Sequence, residues 1–384
     1  MSSIAIAVIG GGRWGRVHVS VLSSLLGAEG KIFWVSSYCL ETNKAWLQEQ
    51  NISSVTLLND AESLPELTID GMVVATASHS HPIDVEKALC WKIPVLSEKP
   101  FALDAETANQ LSFLAKEVQV PVGVNFEYME ATYLHQFKAL LEDVLSKEQI
   151  QEIEIQWHDP LFETRHGELK TGDFGTPIAH DQGGHCWSLL KVLLEDVTLL
   201  EVVSGTAEPD GLVTVLAQCH SVEIRLLLHR RAPQRVRKIS VNQGMAVLDF
   251  SIEPGWTKIG AKEFENTWTS HRPLKAALIR FLEYLSNRSS DWPCALERTL
   301  PAVYFCEAIH QKLVQQQQHR LTTLRQIDSL DETNPNLQWL LVDWAAPQMA
   351  AQGQRVQVYP ESARIDFIRQ ALSVLETFTE LKNA

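Results

Sequence analysis

The feature that most constrains this chain is a glycine cluster within its first fifteen residues. The apolar run Ile4–Ile9 leads into Gly10-Gly11-Gly12-Arg13-Trp14-Gly15, and a helical pattern spanning Arg13–Leu26 follows at once. A short apolar run, a glycine turn and a helix read as a buried strand turning sharply into a helix. The glycines have G-x-G-x-x-G spacing. In that spacing the first permits a tight turn, the second lets the backbone approach a pyrophosphate, and the third lets helix and sheet pack closely. Free N–H groups and the helix dipole would then favour an anion at the helix start. Gly10, Gly12, Arg13, Trp14 and Gly15 are therefore candidate cofactor-binding residues, and a purely structural glycine turn is the alternative.

The same alternation of strand and helix continues downstream. Lys31–Val35 reads as a strand, Thr42–Gln50 as a helix, Gly71–Ala75 as a buried strand and Pro82–Trp91 as a helix. Pro94–Ser97 and Val120–Asn125 follow as strands, with the helical stretch Ala105–Val118 between them. Strands separated by helices imply a parallel, doubly wound sheet, an α/β domain of Rossmann type over residues 1–125. From about Gln149 the texture changes. QIQEIEIQW, VEIRLLLHR, KISVNQ and MAVLDFSI alternate with period two, as antiparallel strands with one solvated face do. With helices expected at Gly184–Leu194, Pro273–Ser286 and Pro301–Gln316, residues 126–320 read as an α+β domain with a largely antiparallel sheet. Residues 321–384 form a C-terminal extension. It ends in an amphipathic helix, Glu361–Lys382, whose apolar positions Ile365, Ile368, Leu372, Leu375 and Phe378 suit packing against the protein.

Composition removes several function classes. The net charge of −14 over 384 residues opposes non-specific binding to nucleic acid or to anionic membranes. No stretch approaches the ~18 apolar residues of a membrane span, and the N-terminus lacks the basic start and long apolar core of a signal peptide. The six cysteines are scattered without a CxxC pair, which fits reduced thiols. A cytoplasmic location is the expectation.

Three further landmarks carry chemistry. Where a dinucleotide site commonly has an acidic residue at the end of the second strand, this chain has Ser36-Ser37-Tyr38. A carboxylate there would bind both ribose hydroxyls of NAD, whereas the Ser37 hydroxyl could donate to the 2′-phosphate of NADP, with Lys44 nearby. The cofactor expected is NADP or NAD, tilted toward NADP. Thr76 to His81 and Ser97-Glu98-Lys99-Pro100 follow two further strands, on the edge where open α/β sheets bind ligands. Thr76, His81, Glu98 and Lys99 join the cofactor-binding candidates, and Lys99 could also polarise a substrate oxygen. Finally, His180-Asp181-Gln182-Gly183-Gly184-His185 places Asp181 and His185 four apart, on one face if the segment is helical. An imidazole titrates near neutrality and suits proton transfer at oxygen. A metal site from His180, Asp181, His185 and Cys186 fits no standard zinc spacing, so no metal is expected. Trp157, His158, Arg165, His166 and Lys170 could read a carboxylate or phosphate.

Taken in order, Gly10-x-Gly12-x-x-Gly15-x-x-His18, the His81 segment, Glu98-Lys99-Pro100 and Asp181-x-Gly183-x-His185 resemble the Gfo/Idh/MocA family of glucose–fructose oxidoreductase and inositol dehydrogenase. The resemblance implies hydride transfer between a nicotinamide and a carbon bearing oxygen or nitrogen. It implies Lys99 at the reacting oxygen, His185 as acid/base and Asp181 as its neighbour. It also implies a small-molecule substrate and a homo-oligomer formed through the open sheet face. Two positions depart from the family pattern: Ser188 stands where an aspartate is common, and Asn125-Phe126-Glu127 where Asn-x-Arg is common. The expected function is an NAD(P)-dependent dehydrogenase or reductase acting on a sugar-like alcohol or carbonyl. Imine reduction on a biosynthetic intermediate and non-catalytic dinucleotide sensing are the alternatives, and retention of both Lys99 and His185 argues against each.

Overall fold

The computed structural model of the protein describes residues 4–145, 149–165, 168–268, 271–326, 334–354 and 356–383. Its N-terminal sheet has six strands: β1 Ala5–Ile9, β2 Lys31–Val35, β3 Val55–Leu58, β4 Gly71–Val74, β5 Val95–Glu98 and β6 Val122–Asn125. Their order is β3-β2-β1-β4-β5-β6, with every neighbouring pair parallel. Four helices cross between strands: α1 Arg13–Leu26, α2 Leu40–Glu49, α3 His81–Cys90 and α4 Ala105–Val118. This is the expected doubly wound Rossmann sheet. All five residues of β1 are buried, as a central strand covered on both faces requires. The chain winds outward from β1 in both directions, so the carboxyl ends of β1 and β4 flank the point where the winding reverses.

The second sheet has eight strands. They are β7 Glu152–Pro160 and, beyond the hairpin of β8 Phe162–Arg165 and β9 Glu168–Thr171, β10 Leu200–Ala207, β11 Leu212–Cys219, β12 Val222–Ala232, β13 Val236–Val241, β14 Ala246–Asp249, β15 Trp256–Ile259 and β16 Lys262–Glu265. The order is β10-β11-β12-β7-β13-β14-β15-β16. Only β12 with β7 is parallel; the other neighbours are antiparallel. The period-two reading holds in detail on β7, where Ile153, Ile155 and Trp157 are buried and the residues between them are half-buried.

The described residues divide into two compact units that do not follow sequence order. Residues 268–304, expected to lie in the second domain, belong to the first unit with the Rossmann sheet. Leu274, Leu278, Phe281, Trp292 and Cys294 complete the core around Ile6, Val8, Trp34 and Val73. Two strand glycines make the room. A Cβ on Gly71 would lie 2.6 Å from the Leu285 side chain, and one on Gly123 would lie 2.2 Å from the Trp292 ring. Val124 N–H also donates to the Cys294 carbonyl at 2.8 Å, which covers the otherwise open edge of β6.

The C-terminal residues sit in the second unit. Three helices run Pro301–Gln326, Pro335–Ala351 and Glu361–Asn383. The amphipathic C-terminal helix is present and packs: Phe367, Ile368 and Ala371 join a core with Leu337, Leu341, Val342, Ala345 and Met349. The side chains of Leu372, Leu375 and Phe378 lie outside the described residues, as does His166. None of the described helices is long and apolar enough to cross a membrane.

Candidate active site

The glycine turn is held from three sides. Gly10 adopts φ +127°, and a Cβ there would fall 2.3 Å from the Ala75 carbonyl oxygen at the end of β4. A Cβ on Gly15 would fall 1.9 Å from the Gly10 oxygen. Both positions are therefore closed to any side chain by the protein itself. The buried Trp34 of β2 donates its indole N–H to the Gly10 oxygen at 2.8 Å. Asn43 of α2, fully buried, donates to the Gly11 oxygen at 2.9 Å and to Ser36 Oγ at 2.8 Å, and accepts from Arg16 Nε at 2.9 Å.

Gly12 behaves differently. It caps α1 without a side-chain hydrogen bond, and a Cβ there would meet no protein atom within 4 Å. Nothing in the packing demands glycine at this position. A pyrophosphate approaching the start of α1 does demand it, because a side chain would occupy the same space. The first turn of α1 carries no acidic residue to repel an anion. The turn thus fits the phosphates of a dinucleotide.

At the end of β2 the two serines have separate fates. Ser36 is buried and spent on Asn43, while Ser37 is exposed and Tyr38 fully so. Of the two serines, Ser37 is the one whose hydroxyl faces outward.

The ends of β4 and β5 are joined through two buried side chains. His81, at the start of α3, has Nδ1 2.7 Å from the Pro100 oxygen and Nε2 3.1 Å from the Thr76 oxygen. Burial pushes its pKa below the usual histidine range, against the pull of the Pro100 carbonyl and Glu98. A neutral imidazole donates to only one of the two oxygens. Its ring therefore ties two ligand-edge loops together and is not directed at a cofactor. Thr76 in turn donates Oγ1 to Asp84 at 2.7 Å, and Asp84 is held above the usual carboxylate range by burial.

Glu98 is buried at the end of β5. It sits 2.7 Å from His18 Nε2 and accepts from Asn125 Nδ2 at 2.7 Å. Burial alone would raise its pKa. The His18 and Asn125 contacts and the neighbouring Lys99 charge outweigh burial and hold it below the usual range. Glu98 is thus an ionised anchor between α1, β5 and β6, and the half-buried Lys99 follows it. Asn125, the first position of the family's fifth-strand motif, is part of this anchor.

In the second unit, Asp181 ends the short helix Ile178–Asp181 and His185 lies in the first turn of the helix Gly183–Leu194. Asp181 and His185 thus fall on two helices rather than on one helical face, and Gln182 stands between them, its side chain donating to Asp159 Oδ2 at 3.0 Å and to the His229 oxygen at 3.2 Å. His185 stacks on Trp157, ring centres 4.5 Å apart and planes 11° apart. The buried Arg237 guanidinium lies 3.8 Å from the centre of the same indole and pairs with Asp159. Burial would raise Asp159, but Arg237, Lys170 and Arg235 outweigh it and bring its pKa to about 2. The cluster read from sequence is therefore split by strand alternation: Trp157 turns toward His185, and His158 pairs with His229 at 5.9 Å. Among the described residues no group of three or more His, Cys, Asp and Glu side chains is placed to hold a metal ion.

Residues 4–126 match the model of the oxidoreductase family with an NAD-binding Rossmann fold, Gfo/Idh/MocA. The Rossmann segment, residues 4–126, is that of a Gfo/Idh/MocA family oxidoreductase. Inositol 2-dehydrogenase of Arthrobacter sp. strain FB24 is 25% identical over 211 residues, 53% of this chain and 58% of that protein. Glucose-6-phosphate 3-dehydrogenase of Bacillus subtilis strain 168 is 26% identical over 35% of this chain and 37% of its own. The chain thus aligns with less than two thirds of these relatives' length. Among solved structures, GenD2 from gentamicin A biosynthesis, in complex with NAD, has a TM-score of 0.66 at 15% identity, covering 81% of this chain and 94% of that one. A variant of the 3-ketoreductase KijD10 from Actinomadura kijaniata, in complex with TDP-benzene and NADP, also scores 0.66, at 14% identity over 81% and 98%. The chain shares their fold.

Proposed function

We propose that this Gfo/Idh/MocA protein is a dehydrogenase or reductase that transfers a hydride between a nicotinamide dinucleotide and an oxygen-bearing carbon of a sugar-like substrate. The observation that carries this reading is Gly12, a glycine that the protein's own packing does not require, at the start of a helix fixed by Trp34 and Asn43. Gly10, Gly12, Arg13, Trp14 and Gly15 hold the pyrophosphate, Ser37 the adenosine ribose, and Thr76, Glu98 and Lys99 line the nicotinamide end. The bound dinucleotide supplies the hydride donor or acceptor. Lys99 stabilises the negative charge that develops on the reacting oxygen, and His185 supplies or removes its proton. Asp181 orients His185. Dehydrogenases of inositol and glucose 6-phosphate among the relatives support a polyol or sugar substrate. The test is a panel of polyols and sugars, beginning with myo-inositol, offered with each of the four nicotinamide dinucleotides and followed at the nicotinamide absorbance. No turnover across that panel despite tight dinucleotide binding would refute it.

NADP binds at least as tightly as NAD in this reading, because residues 36–38 carry no carboxylate to repel a 2′-phosphate. Calorimetry with the two oxidised cofactors checks it. A preference for NAD of about tenfold, about 1.4 kcal/mol, would refute it. The protein is also a homo-oligomer, its open sheet face covered by a second copy. Light scattering at micromolar concentration should give at least twice the 43.2 kDa of one chain; a monomer mass would count against it.

A further inference from the structure

The C-terminal helices do more than close a core of their own. Trp339, on the helix Pro335–Ala351, is where they meet the segment that leads into Asp181 and His185. Its indole stacks on Phe174, ring centres 5.3 Å apart and planes at 28°. The guanidinium groups of Arg231 and Arg364 each lie 4.6 Å from the centre of the same indole. Arg364 comes from the final helix and donates to the buried Gln338 at 2.9 Å. Arg231 donates to Asp343, one turn along from Trp339, at 2.8 Å.

Beside this contact sits Arg230, buried, with its guanidinium 5.1 Å from the Phe174 ring. It donates to the backbone oxygens of both Asp173 and Thr176, at 2.6 and 2.9 Å. The turn between those residues is closed further by Asp173, whose carboxylate accepts from Gly175 N–H and Thr176 Oγ1 at 2.8 Å each. Across from it, a Cβ on Gly175 would lie 3.1 Å from the Ala350 side chain, so the helix backs directly onto the turn. Thr176 is followed by Pro177, whose oxygen accepts from His180 and Asp181 N–H at 2.9 Å each. An unbroken series of contacts therefore runs from Trp339 and Asp343 through Arg231, Phe174 and Arg230 to the turn that launches Asp181.

We infer that the C-terminal helical pair is a brace for the acid–base segment, with Trp339 and Asp343 as positioning residues. The inference rests on the proposed roles of Asp181 and His185, which it extends. A brace explains why the contacts are aromatic and charged. Burying an apolar face would need neither two arginines on one indole nor an aspartate paired with the strand that holds Arg230. Each of these contacts is directional, so together they set one position for the turn.

Amide hydrogen exchange on the full-length protein tests this. Trp339→Leu keeps an apolar side chain but loses the ring stack and both cation–π contacts. Exchange at Gly175, His180, Asp181 and Gln182 should quicken by about tenfold or more relative to the sheet amides of β1 and β4. Asp343→Asn, nearly isosteric, should act in the same direction and cannot fail for reasons of volume. Trp339→Phe should restore most of the protection. Ile368→Ala removes a buried side chain from the same core and should not single out these four amides. The affinity for NADP should stay within about twofold in all four variants. Unchanged exchange at the turn in folded Trp339→Leu and Asp343→Asn overturns the brace, and so does an equal effect from Ile368→Ala. Full turnover by His185→Ala would instead overturn the acid–base role while leaving the exchange result standing, so the two failures are distinguishable.

Discussion

Lys99→Ala and His185→Ala should each lower turnover by about 10²–10⁴-fold while leaving dinucleotide affinity nearly unchanged. Lys99 stands immediately after β5, on the ligand-binding edge of the parallel sheet. Its neighbour Glu98 is fixed by His18 and Asn125, so the backbone that presents Lys99 is anchored from α1 and β6. Hydride transfer to a carbonyl leaves negative charge on oxygen, and an ammonium at that oxygen stabilises the transition state more than the ground state. His185 is presented differently, by stacking on Trp157, whose indole also meets the buried Arg237 guanidinium paired with the half-buried Asp159. In the proposed chemistry loss of His185 removes a proton donor rather than a charge. Asp181→Asn should have a smaller effect than either, because its proposed role is to orient the histidine rather than to transfer the proton. Steady-state kinetics and calorimetry on the same preparations decide the matter. Full activity of either alanine variant on the true substrate would break the assignment.

The parts of this architecture that sequence makes legible are those governed by local rules. A buried strand, a glycine turn and a helix follow from residues 4–26 alone, and the alternation along β7 follows from its period of two. What stays hidden depends on partners distant in the chain. Helix Pro273–Ser286 has the same amphipathic pattern whichever sheet it covers, and the room for its Phe281 and Leu285 against the Rossmann core is made by Gly71, about 200 residues earlier in the sequence. Short β3, Val55–Leu58, lies at the sheet edge and offers too little pattern to stand out. In the site, Gly10, Gly15, Glu98 and Lys99 are visible as motif positions, but Asn43 and Trp34 are not. One signal for Trp34 exists: a tryptophan inside an apolar strand must find an acceptor for its indole N–H once buried, and the Gly10 oxygen is that acceptor. Ser36 and Ser37 look equivalent in sequence. Only the Asn43 contact separates the structural serine from the exposed one.

Gly12→Leu should abolish dinucleotide binding without unfolding the protein, and Gly15→Leu should do the reverse in order of cause, losing binding because the fold is lost. The two glycines occupy the same motif but answer to different constraints. A Cβ at Gly15 would fall 1.9 Å from the Gly10 oxygen and 3.2 Å from the Trp34 indole nitrogen, which is itself committed to that oxygen. Neither neighbour can yield: one is backbone, and the other is a fully buried ring in the central core. Relief would require α1 to lift from β1, exposing Val19 and Leu22 and breaking the His18–Glu98 contact. Overpacking of this kind in a rigid core costs about 1–3 kcal/mol or more, a large part of a domain's net stability. At Gly12 the added carbon meets nothing within 4 Å, and its φ of −79° with ψ of −172° is extended backbone that any residue adopts. Thermal unfolding of Gly12→Leu should therefore track the parent within about 1 kcal/mol, as a surface substitution does. Its side chain would project over the start of α1, where the pyrophosphate must meet the backbone N–H groups at hydrogen-bond distance. Displacing the phosphates by even the width of a methyl group breaks those bonds, so titration should detect no binding at cofactor concentrations that saturate the parent. Gly12→Ala, with a single added carbon, should fall between the two. Undiminished affinity in a folded Gly12→Leu protein would remove the dinucleotide from this turn, and with it the nicotinamide chemistry proposed for Lys99 and His185.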